Sequence, residues 1–292
     1  MTISTTAMLL VLGCALAFSG ADVFRKLLAG SIRPVPLLFA LAAGMVPAFL
    51  VWYLLQGAPT PAAGYWVPGL SSTLINVAAN LAFLEAVRRS PLSLTIPFLS
   101  LTPVFTTLLA IPMLGETPGG RQWLGITAVV VGAFWLNLGG ESRSLKGAWQ
   151  SFMEEPGSRL MVMVSLLWSL AMPLDKMAVS EAGAAFHGIV LGGGVALALV
   201  LLAALRGTLG EFRDLRHRPG MLTLGVILSV VALALQLVAI RLVWVGFVET
   251  MKRGVGSFLA LLWGRLIFGE AFAVHRFIAV ALMGSGVALI LL

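Results

Sequence analysis

The chain has 292 residues, 59% of them hydrophobic and only 11% charged, against about 45–50% and about 25% in soluble domains. No water-soluble fold of this length hides that much apolar surface, so the composition excludes a soluble enzyme and makes lipid the solvent. The formal charge of +7 does not indicate nucleic acid, because Lys and Arg are scattered at segment ends with no basic-aromatic stripe. Cys14, alone of its kind, excludes a disulfide or a multi-cysteine metal site within the chain.

A helix needs about 20 apolar residues to cross the hydrocarbon core. In chain order such segments run over 6–26, 35–56, 66–87, 92–114, 121–139, 159–178, 185–206, 220–241, 243–268 and 272–292. Turn chemistry separates them: Gly57 to Pro61 after the second, Arg88 to Pro91 after the third. The longest polar stretch holds Glu141, Arg143, Lys146, Glu154, Glu155 and Pro156. It makes 140–158 a linker between a first unit, 1–139, and a second, 159–292. The runs are continuous rather than alternating, which excludes a β-barrel.

The two units are similar. An offset of 150 lays Leu16–Ser19 on Leu166–Ser169, Ala21 on Ala171, Lys26 on Lys176 and Gly44 on Gly194. By the end the offset is 154, and Gly115-Glu116 falls on Gly269-Glu270. Five spans per unit is an odd number, so the second unit enters the membrane the other way up. The expected fold is therefore an all-α polytopic membrane protein of ten transmembrane helices, two inverted five-helix repeats around a central cavity. Arg and Lys concentrate in the odd-numbered loops; Arg121, Lys176 and Arg241 are the bases of the even-numbered ones. The bias places the odd loops in the cytoplasm, across a cell (inner) membrane.

The fourth segment and its sequel read Pro97-Phe98-Leu99-Ser100-Leu101-Thr102-Pro103-Val104, then Leu114-Gly115-Glu116, then Gln122-Trp123-Leu124-Gly125. The ninth repeats the layout with Phe258 to Leu262 and Gly269-Glu270, although Ser257 stands where Pro103 stands in the first unit. These runs resemble the EamA-type branch of the drug/metabolite transporter superfamily, across nearly the whole chain. The resemblance implies a ten-helix carrier working by alternating access, with YddG-like amino-acid exporters among its relatives. It also implies cytoplasmic termini, the reverse of the charge bias.

Ionisable groups at membrane depth are costly unless paired or hydrated, which makes them site candidates. Glu249, Lys252 and Arg253 share one side of the ninth segment. They form either a lining for a substrate's ammonium and carboxylate or a self-neutralising helix entrance. Asp22 and Lys26 lie four apart in the first segment. Lys26 and its counterpart Lys176, with Asp175 beside it, either gate opposite entrances or snorkel to the interface. Ser72, Asn76 and Asn80 form a polar stripe, facing either the cavity or another helix. Ser100, Gln236 and the mid-segment Trp168 complete the candidate substrate contacts. Pro97, Pro103, Gly254 and Gly256 are candidate hinges, or static kinks. Glu116 and Glu270 read as helix-end residues, and Gly188 with Gly192 as a packing pair.

The expected function is a secondary transporter exporting or exchanging small polar metabolites, amino acids foremost. The alternative is a flippase or carrier for lipid-linked or amphipathic metabolites. His187, His217 and His275 match no zinc spacing and no catalytic set appears, so an enzyme is not expected. No Walker A motif is present, no metal or cofactor is expected, and coupling is either to a proton, through Asp22, Glu85 or Glu249, or absent. The expected partners are a small-molecule substrate and the bilayer, no nucleic acid, with the chain a monomer or homodimer.

Overall fold

The computed structural model describes residues 4–90, 96–137, 154–268 and 274–291. Every regular element among them is helical: α1 (Thr5–Ala29), α2 (Pro34–Leu55), α3 (Trp66–Arg89), α4 (Thr102–Leu114), α5 (Gly120–Asn137), α6 (Pro156–Leu205), α7 (Pro219–Leu242), α8 (Val245–Phe268) and α9 (Val274–Leu291). Short 3-10 turns run over Ala63–Tyr65, Ile96–Leu101 and Leu209–Arg216. Residues 91–95 of the expected fourth span, most of the linker and the Gly269-Glu270 motif lie outside the described residues.

Local chemistry sets the boundaries. The Ser4 hydroxyl accepts from the Ala7 N–H at 3.2 Å and opens α1. Prolines stand in the first turns of α2, α4, α6 and α7, where no N–H is needed. Pro103 is one of these, so it starts α4 rather than breaking it; the internal proline there is Pro112. The expected fourth helix is thus a 3-10 turn feeding an α-helix. Gly115, at φ 68°, closes α4 in the left-handed region open to glycine.

The longest element, α6, has 50 residues and holds the expected sixth and seventh spans as two limbs. Gly183 joins them at φ 76° and ψ 161°, a conformation available to glycine alone at low cost. Five stretches among the described residues are long and apolar enough to cross a membrane: Thr5–Ala29, Pro34–Leu55, Ala63–Ala86, Pro156–Leu205 and Pro219–Leu242. Outward-facing leucines such as Leu9, Leu54, Leu74, Leu166 and Leu197 stay exposed, the surface expected where lipid replaces water.

The largest apolar cluster draws on both units, joining Val11, Phe49, Ala110 and Ile126 to Met172, Leu191, Leu237, Val248 and Ile290. Helix α1 packs on α7 and α8, α3 on both limbs of α6, α4 on α6 and α8, and α5 on α9. At the α5–α9 seam glycines face backbone. A Cβ on Gly286 would lie 2.6 Å from the Gly125 carbonyl oxygen, and one on Gly125 2.5 Å from that of Gly286.

Ion pairs clasp the two ends of the bundle. At the end near the linker, Arg33 before α2 binds Asp214 in the Leu209–Arg216 turn through Nε at 2.7 Å and Glu211 through Nη1 at 3.2 Å. At the same end Ser90 donates to Glu155 at 2.6 Å and accepts from the Gly157 N–H at 3.1 Å. The opposite end carries residues 56–65, Gly115–Gly119, Gly183 and the Val243-Trp244 turn.

Gly286→Val should force α5 and α9 apart and cost about 1–3 kcal/mol, lowering the thermal midpoint in detergent. Gly284→Val, where a Cβ meets nothing within 4 Å, should leave that midpoint in place. The hydrogen bond from Arg33 holds the Asp214 carboxyl below its ordinary range. The clasp therefore stabilises above the unfolded carboxyl value of about 3.9 and is lost as pH falls through the lowered folded value. Acid unfolding of Asp214→Asn should start from a lower neutral-pH stability and converge on wild type at the acid extreme.

Candidate functional site

Among the described residues a buried hydroxyl cluster of Thr102, Ser165 and Ser169 joins α4 to α6, and three assemblies with ionisable members stand toward the end opposite the linker. The outermost is a latch. Glu116, just past α4, accepts from Lys176 Nζ at 2.6 Å through one carboxylate oxygen and from the Val245 N–H at 2.9 Å through the other. Lys176 also donates to the Val243 carbonyl at 2.9 Å. One carboxylate from the first unit thus ties α6 and the α7–α8 turn of the second. Glu116 does stand at a helix end, but its partner is the first free N–H of α8 rather than its own helix. The latch borders a vestibule of about 840 Å³, whose wall includes Gly64, Pro68, Thr117, Ser180, Glu181 and Trp244.

The second assembly centres on Glu249, in the second turn of α8 and only 2% exposed. Its oxygens accept from Lys252 Nζ at 2.9 Å and Arg253 Nε at 3.0 Å. Lys252 reaches further, to the Gln236 side-chain oxygen on α7 at 2.7 Å, and lies 4.6 Å from the Phe18 ring centroid on α1. Three helices therefore close on one ammonium. Two cations facing one carboxylate leave a single positive charge in excess. The two terminal nitrogens of Arg253 have no protein partner among the described residues, and its side chain is 28% exposed. Deeper along α1, Ser19 accepts from the Trp263 indole N–H at 3.1 Å.

The third assembly links α3 to both limbs of α6. Ser72 donates to Asp175, whose same oxygen lies 2.9 Å from His187 Nε2; the other ring nitrogen lies 3.2 Å from the Tyr65 hydroxyl. All four side chains are buried. Gly69 and Gly188 make this possible, because a Cβ on either would collide with the rings of Tyr65 and Phe49. Gly188 and Gly192 do pack against α2. Asn76 and Asn80 continue the stripe one and two turns along. Their amide nitrogens donate to Ser72 and Asn76 carbonyls in their own helix, and their side-chain oxygens have no partner among the described residues.

The remaining expected residues fall elsewhere. Asp22 is exposed and paired with Arg25 at 2.9 Å, so the structure does not bring it to these assemblies. Lys26 is exposed at the last turn of α1. Glu85 binds Arg89 at 2.7 Å. Trp168 stacks at 5.8 Å on Phe83, within the apolar cluster of Met161 and Val164. Ser100 is buried in the 3-10 turn, and Pro97 falls in that turn with its side chain outside the described set. Gly254 is a contact point, where a Cβ would meet Val287 at 3.2 Å, whereas Gly256 faces open space. Tyr65 and Asp175 were not among the expected site residues. Twelve residues and a reversal at Gly183 separate Asp175 from His187, so no helical spacing signals their meeting.

Residues 5–138 match the EamA-like transporter family. That family consists of membrane transporters, not enzymes, and the match covers the first unit with α1 to α5. A solved structure described only as "Crystal structure of protein" superposes at a TM-score of 0.76 with 16% identity, covering 98% of this chain and 96% of its own. At that identity the likeness is one of fold, and it extends over both units. A comparison with curated proteins finds no match. Together with the apolar helices, the family match points to a multi-pass membrane protein.

Replacing Lys176 with Met removes both bonds to the latch. The loss of about 1.5–3 kcal/mol from a charge-assisted bond should loosen the α7–α8 turn. In a Cys14→Ala background, labelling of Trp244→Cys by a maleimide should then accelerate roughly tenfold or more.

Proposed function

We propose that this protein is a secondary carrier that exports or exchanges small polar metabolites, amino acids first among them, by alternating access between two inverted five-helix units. The observation that carries the reading is the Glu249 assembly. A bundle in lipid has little use for a surplus half-buried cation unless an anion arrives to meet it. Arg253 holds its Nε on Glu249 and keeps a two-nitrogen fork unengaged, the donor geometry that suits a carboxylate. The amide oxygens of Asn76 and Asn80 supply acceptors of the kind an ammonium group takes. An anionic group on one side and a hydrogen-bond donor on the other describe a zwitterion.

Alternating access draws its support from the packing. The contacts run between the units, with α5 packed on α9, which suits two bundles rocking about a shared seam at those helices. The latch of Glu116, Lys176 and Val245 crosses between the units at one end, so it is a closed gate in this conformation. Lys176 acts there as a gating residue, while Lys26 stands at the opposite end of the bundle. The bias of basic residues places the linker end in the cytoplasm of an inner-membrane protein.

Proteoliposomes preloaded with unlabelled amino acids should exchange labelled ones, most strongly for carboxylate-bearing substrates. Arg253→Gln should lower exchange about 10–100-fold, the loss of one charged bidentate contact, with Arg253→Lys between. Equal exchange by all three proteins would remove the carboxylate site.

A further inference from the structure

Of the two buried carboxylates among the described residues, Glu249 has two cations and Asp175 has none. The partners of Asp175 are the Ser72 hydroxyl and the His187 ring. Lys176 is adjacent in sequence, but its ammonium is committed to Glu116 and the Val243 carbonyl. A carboxylate only accepts hydrogen bonds, so His187 Nε2 carries its proton toward Asp175. Nδ1 is then a bare acceptor and takes the Tyr65 O–H. In that arrangement every bond has one donor and one acceptor, yet the group bears one uncompensated negative charge.

From these contacts we propose that His187 and Asp175 form a proton-binding site, and that loading it loosens the vestibule wall. The proton adds to Nδ1 from water; no other covalent bond changes, and the imidazolium cancels the charge on Asp175. Nδ1 thereby becomes a donor and can no longer accept from Tyr65. The Tyr65 hydroxyl must turn its proton away and offer its oxygen instead. Tyr65 ends the Ala63–Tyr65 turn, which is tied to α6 by a bond from the Ala62 N–H to the Glu181 carbonyl at 3.2 Å. The neighbouring Gly64, Val67 and Pro68 line the vestibule. Proton loading is therefore transmitted to the wall through one reversed hydrogen bond.

Among the described residues no other titratable group competes at the site. Helix α2 brings Tyr53, whose hydroxyl donates to the Pro59 carbonyl. Helix α3 brings no titratable side chain in its first three turns, and α4 brings none. The first limb of α6 brings Lys176, held by Glu116, and Glu181, which is exposed in the vestibule with its carboxylate against Gly64. Helix α7 contributes the exposed Arg241, and Glu249, Lys252 and Arg253 of α8 bond to one another.

The proposal builds on the carrier reading only in treating the vestibule as an entrance, and its test needs no substrate. Thr117→Cys, in the Cys14→Ala protein held in lipid nanodiscs, is labelled with a maleimide from about pH 5 to 8, the range histidine commands. Dividing by the rate at exposed Gln56→Cys cancels thiol ionisation. The ratio should rise as pH falls, along a single-proton curve no steeper than about tenfold per pH unit. His187→Gln should abolish the step. Tyr65→Phe keeps the ring but lacks the hydroxyl, so it should abolish the step while nitrogen-15 histidine spectra still show His187 taking up its proton. A flat wild-type ratio, or a step that survives in Tyr65→Phe, overturns the proposal, and that variant decides the matter if His187→Gln does not fold. Failed amino-acid exchange would sink the substrate assignment and leave this result standing.

Discussion

Charge inside an apolar bundle must be answered by other groups, and two carboxylates in this protein are answered differently. Glu249 draws in Lys252 and Arg253 from its own helix and, through Lys252, the Gln236 side chain from α7 and the Phe18 ring from α1. Asp175 receives a hydroxyl from α3 and an imidazole from the second limb of α6. In each case desolvation is so costly that the surrounding helices can adopt few other arrangements. The polar groups thus fix relative helix positions that leucine against leucine would leave loosely defined.

The apolar packing supplies a complementary constraint. Where α5 meets α9, glycines face backbone from both sides, with a notional Cβ only 2.5–2.6 Å from the opposing carbonyl. Small residues let dispersion and backbone contacts hold helices that lipid does not push together. The main core draws on residues from both halves of the chain. The glycine seam and the polar latch lie on different helices.

Much of the architecture was legible as composition and period. Apolar runs of membrane length predicted α1, α2, α3 and α7 to within a few residues, because helix length in lipid is dictated by hydrocarbon thickness. The polar candidates on a single helix were legible too: Glu249, Lys252 and Arg253 meet as their spacing of three and four requires. Less was legible where an element changes type. The expected fourth helix starts as a 3-10 turn, with Pro103 in the first turn of α4. The sixth and seventh spans form one element bent at Gly183. Asp22 pairs with Arg25 three residues on rather than joining the polar assemblies.

By itself the sequence determined that this is a helical, lipid-solvated chain, where its helices lie and which ionisable residues share a helix face. Those properties depend on the residues within one span and on the thickness of the bilayer. The tertiary structure alone decided that Glu116 of the first unit holds Lys176 and the Val245 N–H of the second, and that Tyr65, Ser72, Asp175 and His187 converge. Those meetings depend on the crossing of helices far apart in the chain and on glycines at 69, 183 and 188 that admit them. No periodicity within a single span records which other span will be its neighbour.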